Sequence, residues 1–402
     1  MKLTSPLKWY VTSTAFYLVP GGIQSVVFPW LIAVYLMESP TRVGIAQMAG
    51  PLPMLFLILF GGWLGDRVDQ RRLSVWLTYL LMIPPLLLVG IFLFGEVTYE
   101  LLILWVILAG TIGAFAQPTR DAMLTNVAGP YIQQAVTLVI GVQFGVQILG
   151  FAIGSSADML GPEIVLGCMS FFMLLAAVST QRLPEMPPSP LTERRRSPLF
   201  DIKEGLVVAW RTPEIRGSIL LIFGVGLFFA SSYMVLLPLF VRDIYDGGAR
   251  GIALAYAANM LGTVTTIIVI MRMGGIDRPG RVLILGGVVS SLIFSSLYFE
   301  MSAWMFYVVI YLWGLCGGLS MTLSRAIVQE ASPPTHRARL MSVFTLGIMG
   351  GMPIGAAAVG LSIEYLGLRQ TVPIAASGML LLLLYLYLRT SLYEVKRNVI
   401  SE

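Results

Sequence analysis

Three carboxylates stand where a proton could bind close to a membrane: Asp121, Asp158 and Glu364. Asp158 and Glu364 each close a long apolar run. The C-terminal end of a helix carries partial negative charge, which favours a carboxylate that holds its proton. The other reactive side chains offer little. Cys168 and Cys316 lie far apart inside apolar runs, so neither a disulfide nor a metal site is expected. His336, the single histidine, stands in a basic polar stretch and reads as a solvated loop residue. No P-loop, nucleophile elbow or HExxH helix is present. No catalytic site, cofactor or metal is expected, and an enzyme embedded in the membrane, which would cluster His, Asp or Cys at depth, fits poorly.

The elements that must position these residues follow from composition. Of 402 residues, 57% are hydrophobic and 12% charged, about half the charge of a soluble domain. A spanning helix needs about 20 mostly apolar residues, and apolar runs recur near 9–37, 43–64, 73–95, 99–119, 132–157, 162–181, 216–241, 251–272, 281–299, 303–326, 340–363 and 371–390. Lipid offers the backbone no hydrogen bonds, so all twelve are read as helices. The expectation is an all-α integral membrane protein. Residues 1–181 and 216–390 form six-helix bundles. Residues 182–215 form a linker with an amphipathic helix near 200–210 on the membrane surface, and 391–402 form a tail. The first run is too long for a cleaved signal peptide and reads as a permanent span.

Charge placement orients the map. With both termini in the cytoplasm, all but Arg42, Arg242, Arg250 and Arg369 of the 26 Lys and Arg fall on the cytoplasmic side. That is a strong positive-inside bias. The net charge of +5 therefore reports topology and does not point to a nucleic-acid partner.

The two halves echo one another. Asp66–Arg72 after the second span matches Asp277-Arg278-Pro279-Gly280-Arg281 after the eighth. Arg120 matches Arg325, and Gly154-xxx-Asp158-xx-Gly161 matches Gly360-xxx-Glu364-xx-Gly367. Each match is separated by about half the chain. Internal duplication of this kind marks secondary transporters, with the substrate site between repeats near the bilayer midplane.

Gly62-Trp63-Leu64-Gly65-Asp66-Arg67-Val68-Asp69-Gln70-Arg71-Arg72 resembles the loop 2–3 signature of the major facilitator superfamily, departing at Asp69, where that family usually has Gly. The resemblance implies a cytoplasmic gate. Gly62 and Gly65 admit a neighbouring helix, Asp66 faces the start of the eleventh span, and Arg71 or Arg67 pairs with Asp121. Asp277, Arg278 and Arg281 are the second-half counterpart. Ala116–Ala122, Asp201–Leu206 and Arg211-Thr212-Pro213 further resemble a bacterial exporter branch containing siderophore exporters and macrolide efflux proteins. In the fifth span, Gly141-x8-Gly150-x3-Gly154 resembles a drug-antiporter signature without its Gly-Pro, a pattern that helix packing explains equally well.

The resemblance implies a cavity lined by spans 1, 4, 7 and 10. Its residues would be Tyr17, Gln24, Phe28, Gln117, Arg120, Phe229, Tyr233, Tyr311, Trp313 and Arg325, with Asn259 of span 8 adding hydrogen bonds. Such a cavity is aromatic and nearly neutral, with two arginines near its mouth, and suits a sizeable amphipathic or weakly anionic molecule. The expected activity is proton-coupled export of a siderophore or hydrophobic antibiotic by a monomer in the inner membrane. Uptake or lipid transport within the superfamily is the alternative, and a receptor is more remote.

Overall fold

The computed structural model describes residues 4–65, 67–187, 198–273, 275–333 and 336–395. Every regular element among them is helical, and twelve helices are long and apolar enough to cross a membrane. Helix 1 is Ser5–Tyr35, and helix 2 runs as Pro40–Ala49 and Pro51–Gly65. Helices 3 to 6 are Gln70–Phe94, Tyr99–Ala128, Ile132–Gly154 and Pro162–Gln181. A linker helix, Pro198–Arg211, leads to helix 7, Pro213–Asp243. Helices 8 to 12 are Ala249–Arg272, Pro279–Ser295, Ala303–Ala331, Arg337–Leu366 and Leu368–Arg389.

The helix starts carry their own signals. Proline stands first in helices 2, 6, 7 and 9, where its missing N–H costs nothing and its fixed φ suits the first turn. Asp69, the departure from the gate motif, is the N-cap of helix 3. One carboxylate oxygen accepts the Arg72 N–H at 2.7 Å and the other accepts the Met186 N–H at 2.8 Å. The substitution for glycine thus gives a helix start a side-chain acceptor.

The chain divides into two compact units. The first holds Met1–Glu38, Ala49–Pro198 and Gly247–Ala253; the second holds Ser39–Met48, Leu199–Asp246 and Leu254–Glu402. The duplication read in the sequence reappears as packing. In the first unit helix 1 packs on helix 5 and helix 3 on helix 6; in the second, helix 7 packs on helix 11 and helix 9 on helix 12. The helix 1–helix 5 crossing is so close that a Cβ on Gly22 would lie 2.9 Å from the Gly150 Cα. A Cβ on Gly351 of helix 11 would lie 2.8 Å from the Leu227 nitrogen of helix 7. Lipid tails leave little hydrophobic drive between helices, so such close backbone approach supplies the attraction. Gly141 and Gly145 meet nothing within 4 Å, so only Gly150 and Gly154 of that cluster serve packing.

Candidate transport site

In the first unit the polar centre is Arg120 of helix 4, 3% exposed. Its Nη2 donates to Ser13 Oγ at 3.0 Å and Thr14 Oγ1 at 3.1 Å, both on helix 1. The guanidinium lies 4.3 Å from the centre of the Tyr17 ring. The Tyr10 hydroxyl donates to the Arg120 carbonyl at 2.8 Å, and Ser13 shares a 2.6 Å hydrogen bond with Thr180. Nη1 is buried with no partner among the described residues. Asp121, next in sequence, is exposed and accepts Gln117 Nε2 at 3.1 Å.

Burying one guanidinium costs several kcal/mol. Two charge-assisted hydrogen bonds, at about 1.5–3 kcal/mol each, and a desolvated ring contact of about 2 kcal/mol offset much of that cost. Helix 1 therefore supplies hydroxyls and a π face in place of a carboxylate. The cluster keeps a buried positive charge with the two N–H donors of Nη1 to spare.

In the second unit the counterpart is aromatic. Phe229 of helix 7, Phe294 of helix 9 and Trp313 of helix 10 meet with centroids 4.8–5.7 Å apart. Tyr233 stacks on Tyr256 at 4.4 Å. Phe229 sits on a π-helical turn, Val225–Ala230, interrupting helix 7; helix 1 ends in another, Leu31–Tyr35. Such wide turns cluster at functional sites. Asn259 donates to the Ile310 carbonyl at 3.4 Å, and the Tyr311 hydroxyl donates to Thr265 at 3.3 Å. Gln24 is half-buried, and Phe28 is buried edge-on to Trp105 at 5.8 Å. Arg325 is exposed, so the repeat-related arginines have diverged, one buried and one facing out.

The gate residues are arranged differently from the expectation. Gly65 packs on helix 4, where an added Cβ would lie 3.1 Å from Thr119 Oγ1, and Gly62 faces Pro118 of the same helix. Asp66 lies outside the described residues. Arg67 stacks on Trp63 at 4.1 Å. Arg71 donates to the Gln181 carbonyl at 2.7 Å, and Arg72 pairs with Glu185 at 2.9 Å. Asp121 takes Gln117, one helical turn away on its own helix, in place of Arg71 or Arg67. The carbonyl at the end of helix 6 is a ready acceptor for a guanidinium, and it takes Arg71. Asp277 and Arg278 are exposed, while Arg281 lies 5.1 Å from the Tyr393 ring.

Tyr10, Ser13, Thr14 and Phe294 escaped the sequence reading. Tyr10, Ser13, Thr14 and Tyr17 do carry a signal, recurring at the three- and four-residue spacing of one helix face. His336 is not free in a loop. Its Nε2 lies 3.1 Å from Glu204 of the linker helix, which also pairs with Arg339 at 2.9 Å.

A model of transmembrane secretion effectors, a family of the major facilitator superfamily, matches residues 9–402. The chain belongs to that family. It is a multi-pass membrane transporter and not an enzyme. The transporter is 26% identical over 360 residues to the enterobactin exporter EntS of Shigella dysenteriae, covering 85% of this chain and 82% of that one. It is 25% identical over 358 residues to the EntS of Citrobacter koseri, with the same coverage. Among solved structures, a nucleoside transporter, NupG, superposes with a TM-score of 0.68 at 13% identity, over 98% of this chain and 100% of that one. The POT family transporter PepTSo superposes at 0.71 with 15% identity, over 96% and 98%. These last likenesses define the transporter's fold.

Proposed function

We propose that this transporter is a proton-coupled exporter of a sizeable organic molecule, a siderophore or a hydrophobic antibiotic, working by alternating access as a monomer. The reading is carried by its similarity to the enterobactin exporters over 82% of their length. The buried guanidinium of Arg120 supports an anionic or strongly hydrogen-bonding cargo, since its spare donors have no acid to satisfy them. The aromatic cluster about Phe229 and Trp313 supports a cargo with flat apolar surface. The distribution of Lys and Arg supports a place in the inner membrane of a bacterium with both termini in the cytoplasm.

Everted membrane vesicles test this reading. With an inward-acid gradient they should accumulate a radiolabelled catecholate siderophore or a macrolide, and a protonophore should abolish accumulation. Gradient-independent flux overturns the coupling. Accumulation only in right-side-out vesicles overturns export and favours uptake.

A further inference from the structure

Helices 3 and 6 pack along their length and leave a cleft of about 670 Å³ where helix 3 begins and helix 6 ends. Three guanidiniums line it, Arg71, Arg72 and Arg182, against one carboxylate, Glu185. Glu185 is taken by Arg72. Arg71 holds a backbone carbonyl with one nitrogen, and Arg182 lies 5.7 Å from the Trp9 ring with no carboxylate partner among the described residues. The cleft thus has a surplus of positive charge whose donors remain available.

Its surroundings fix its depth. Trp76 is 69% exposed and stands nearly two turns into helix 3. Tyr79 follows a turn further and accepts Gln181 Nε2 at 3.0 Å. Amphipathic rings at this level mark the membrane–water interface. Below Trp76, Leu80, Ile83 and Leu87 are exposed at i+4, i+7 and i+11, one stripe down helix 3. From Trp76 to Leu87 that stripe is about 16 Å long, at 1.5 Å per residue. On helix 6, Phe171, Leu174 and Val178 form a second exposed stripe rising to the same cleft. The equivalent place in the second unit is filled by the chain itself: Leu392 is buried against the start of helix 9, and Arg281 stacks on Tyr393.

We propose that this cleft is a binding site for an anionic phospholipid. The phosphate is held by Arg71, Arg72 and Arg182, the headgroup lies beside Trp76, and the acyl chains lie along the two stripes. Basic pockets between spanning helices have the chemistry for such headgroups. The paired apolar tracks favour a lipid over free phosphate, and the site stands whatever the cargo.

Native mass spectrometry and thermal unfolding of the full-length transporter, delipidated in detergent, test the assignment. The probes are phosphatidylglycerol, cardiolipin, phosphatidylcholine and sodium phosphate. The anionic lipids should be retained at least about fivefold over phosphatidylcholine and should raise the unfolding temperature. Arg182→Gln and Trp76→Ala should each lower that preference about fivefold, the effect of one cation at an anionic surface. Arg281→Gln, at the filled counterpart, should leave the preference unchanged. Arg182 and Trp76 are exposed, so both variants should keep the helical circular dichroism of the parent. Four results would overturn the site: equal retention of neutral and anionic lipid, a preference untouched in both variants, an equal loss in Arg281→Gln, or stabilisation by sodium phosphate matching that of the lipids.

Discussion

Glu364, on the last turn of helix 11, accepts the backbone N–H of Thr41, the second residue of helix 2, at 3.1 Å. Asp158, just past helix 5, accepts the N–H of Arg250, the second residue of helix 8, at 3.3 Å. The two carboxylates are repeat counterparts, and so are the amides they hold. Both stand where the sequence put them, at the C-terminal end of a long helix, yet each faces the positive N-terminus of another helix. Each contact lies within a single compact unit.

The first prediction concerns these caps. Glu364→Ala should speed hydrogen exchange of amides 41–44 about fivefold, the usual effect of losing a side-chain cap, and leave amides 249–252 alone. Asp158→Ala should do the reverse. Exchange that rises at both sites, or at neither, contradicts independent capping.

Arg120→Met should separate stability from transport. A buried charge replaced by an apolar chain of similar volume is often neutral or stabilising. The unfolding temperature should therefore stay within about 3 °C of the parent or rise. Transport of an anionic cargo should fall at least about tenfold, which is about 1.4 kcal/mol of lost interaction. Equal transport of anionic and neutral cargo by the variant and the parent would remove Arg120 from recognition.

The glycines of helix 5 should split into two groups. A Cβ at residue 150 would lie 2.6 Å from the Gly22 Cα, so Gly150→Ala should destabilise by about 1–3 kcal/mol in a denaturant titration. Gly145 faces open space, and Gly145→Ala should gain up to about 1 kcal/mol from helix propensity.

Glu204 ties the linker helix to His336 and Arg339 at the start of helix 11. Glu204→Ala should raise hydrogen exchange across Pro198–Arg211. In the parent, 1 M salt should weaken the same clamp, because these side chains are about one-third exposed and are screened.

How much of this was legible in the residues differs by level. The twelve helices were, because lipid forces a continuous apolar run on each. So was the duplication, because Arg120, Asp158 and their partners recur half a chain later. The gate pairing was not. Arg71 donates to the backbone carbonyl of Gln181, and a backbone carbonyl carries no residue-specific signal. Arg120 was visible as a polar residue, but its hydroxyl partners on helix 1 became apparent only once helices 1 and 4 were side by side. The π-turn at Val225–Ala230 left no mark either, since VGLFFA would serve equally in an α-helix.

That turn has a mechanical consequence. A π-turn is one surplus residue stored in a helix. It can migrate along the helix by passing its hydrogen bonds from one carbonyl to the next, leaving their number unchanged, while each side chain it passes swings by about 100°. Helix 7 therefore contains a dislocation beside Phe229. It can re-aim one wall of the aromatic cluster without melting, in the way a ruck crosses a carpet.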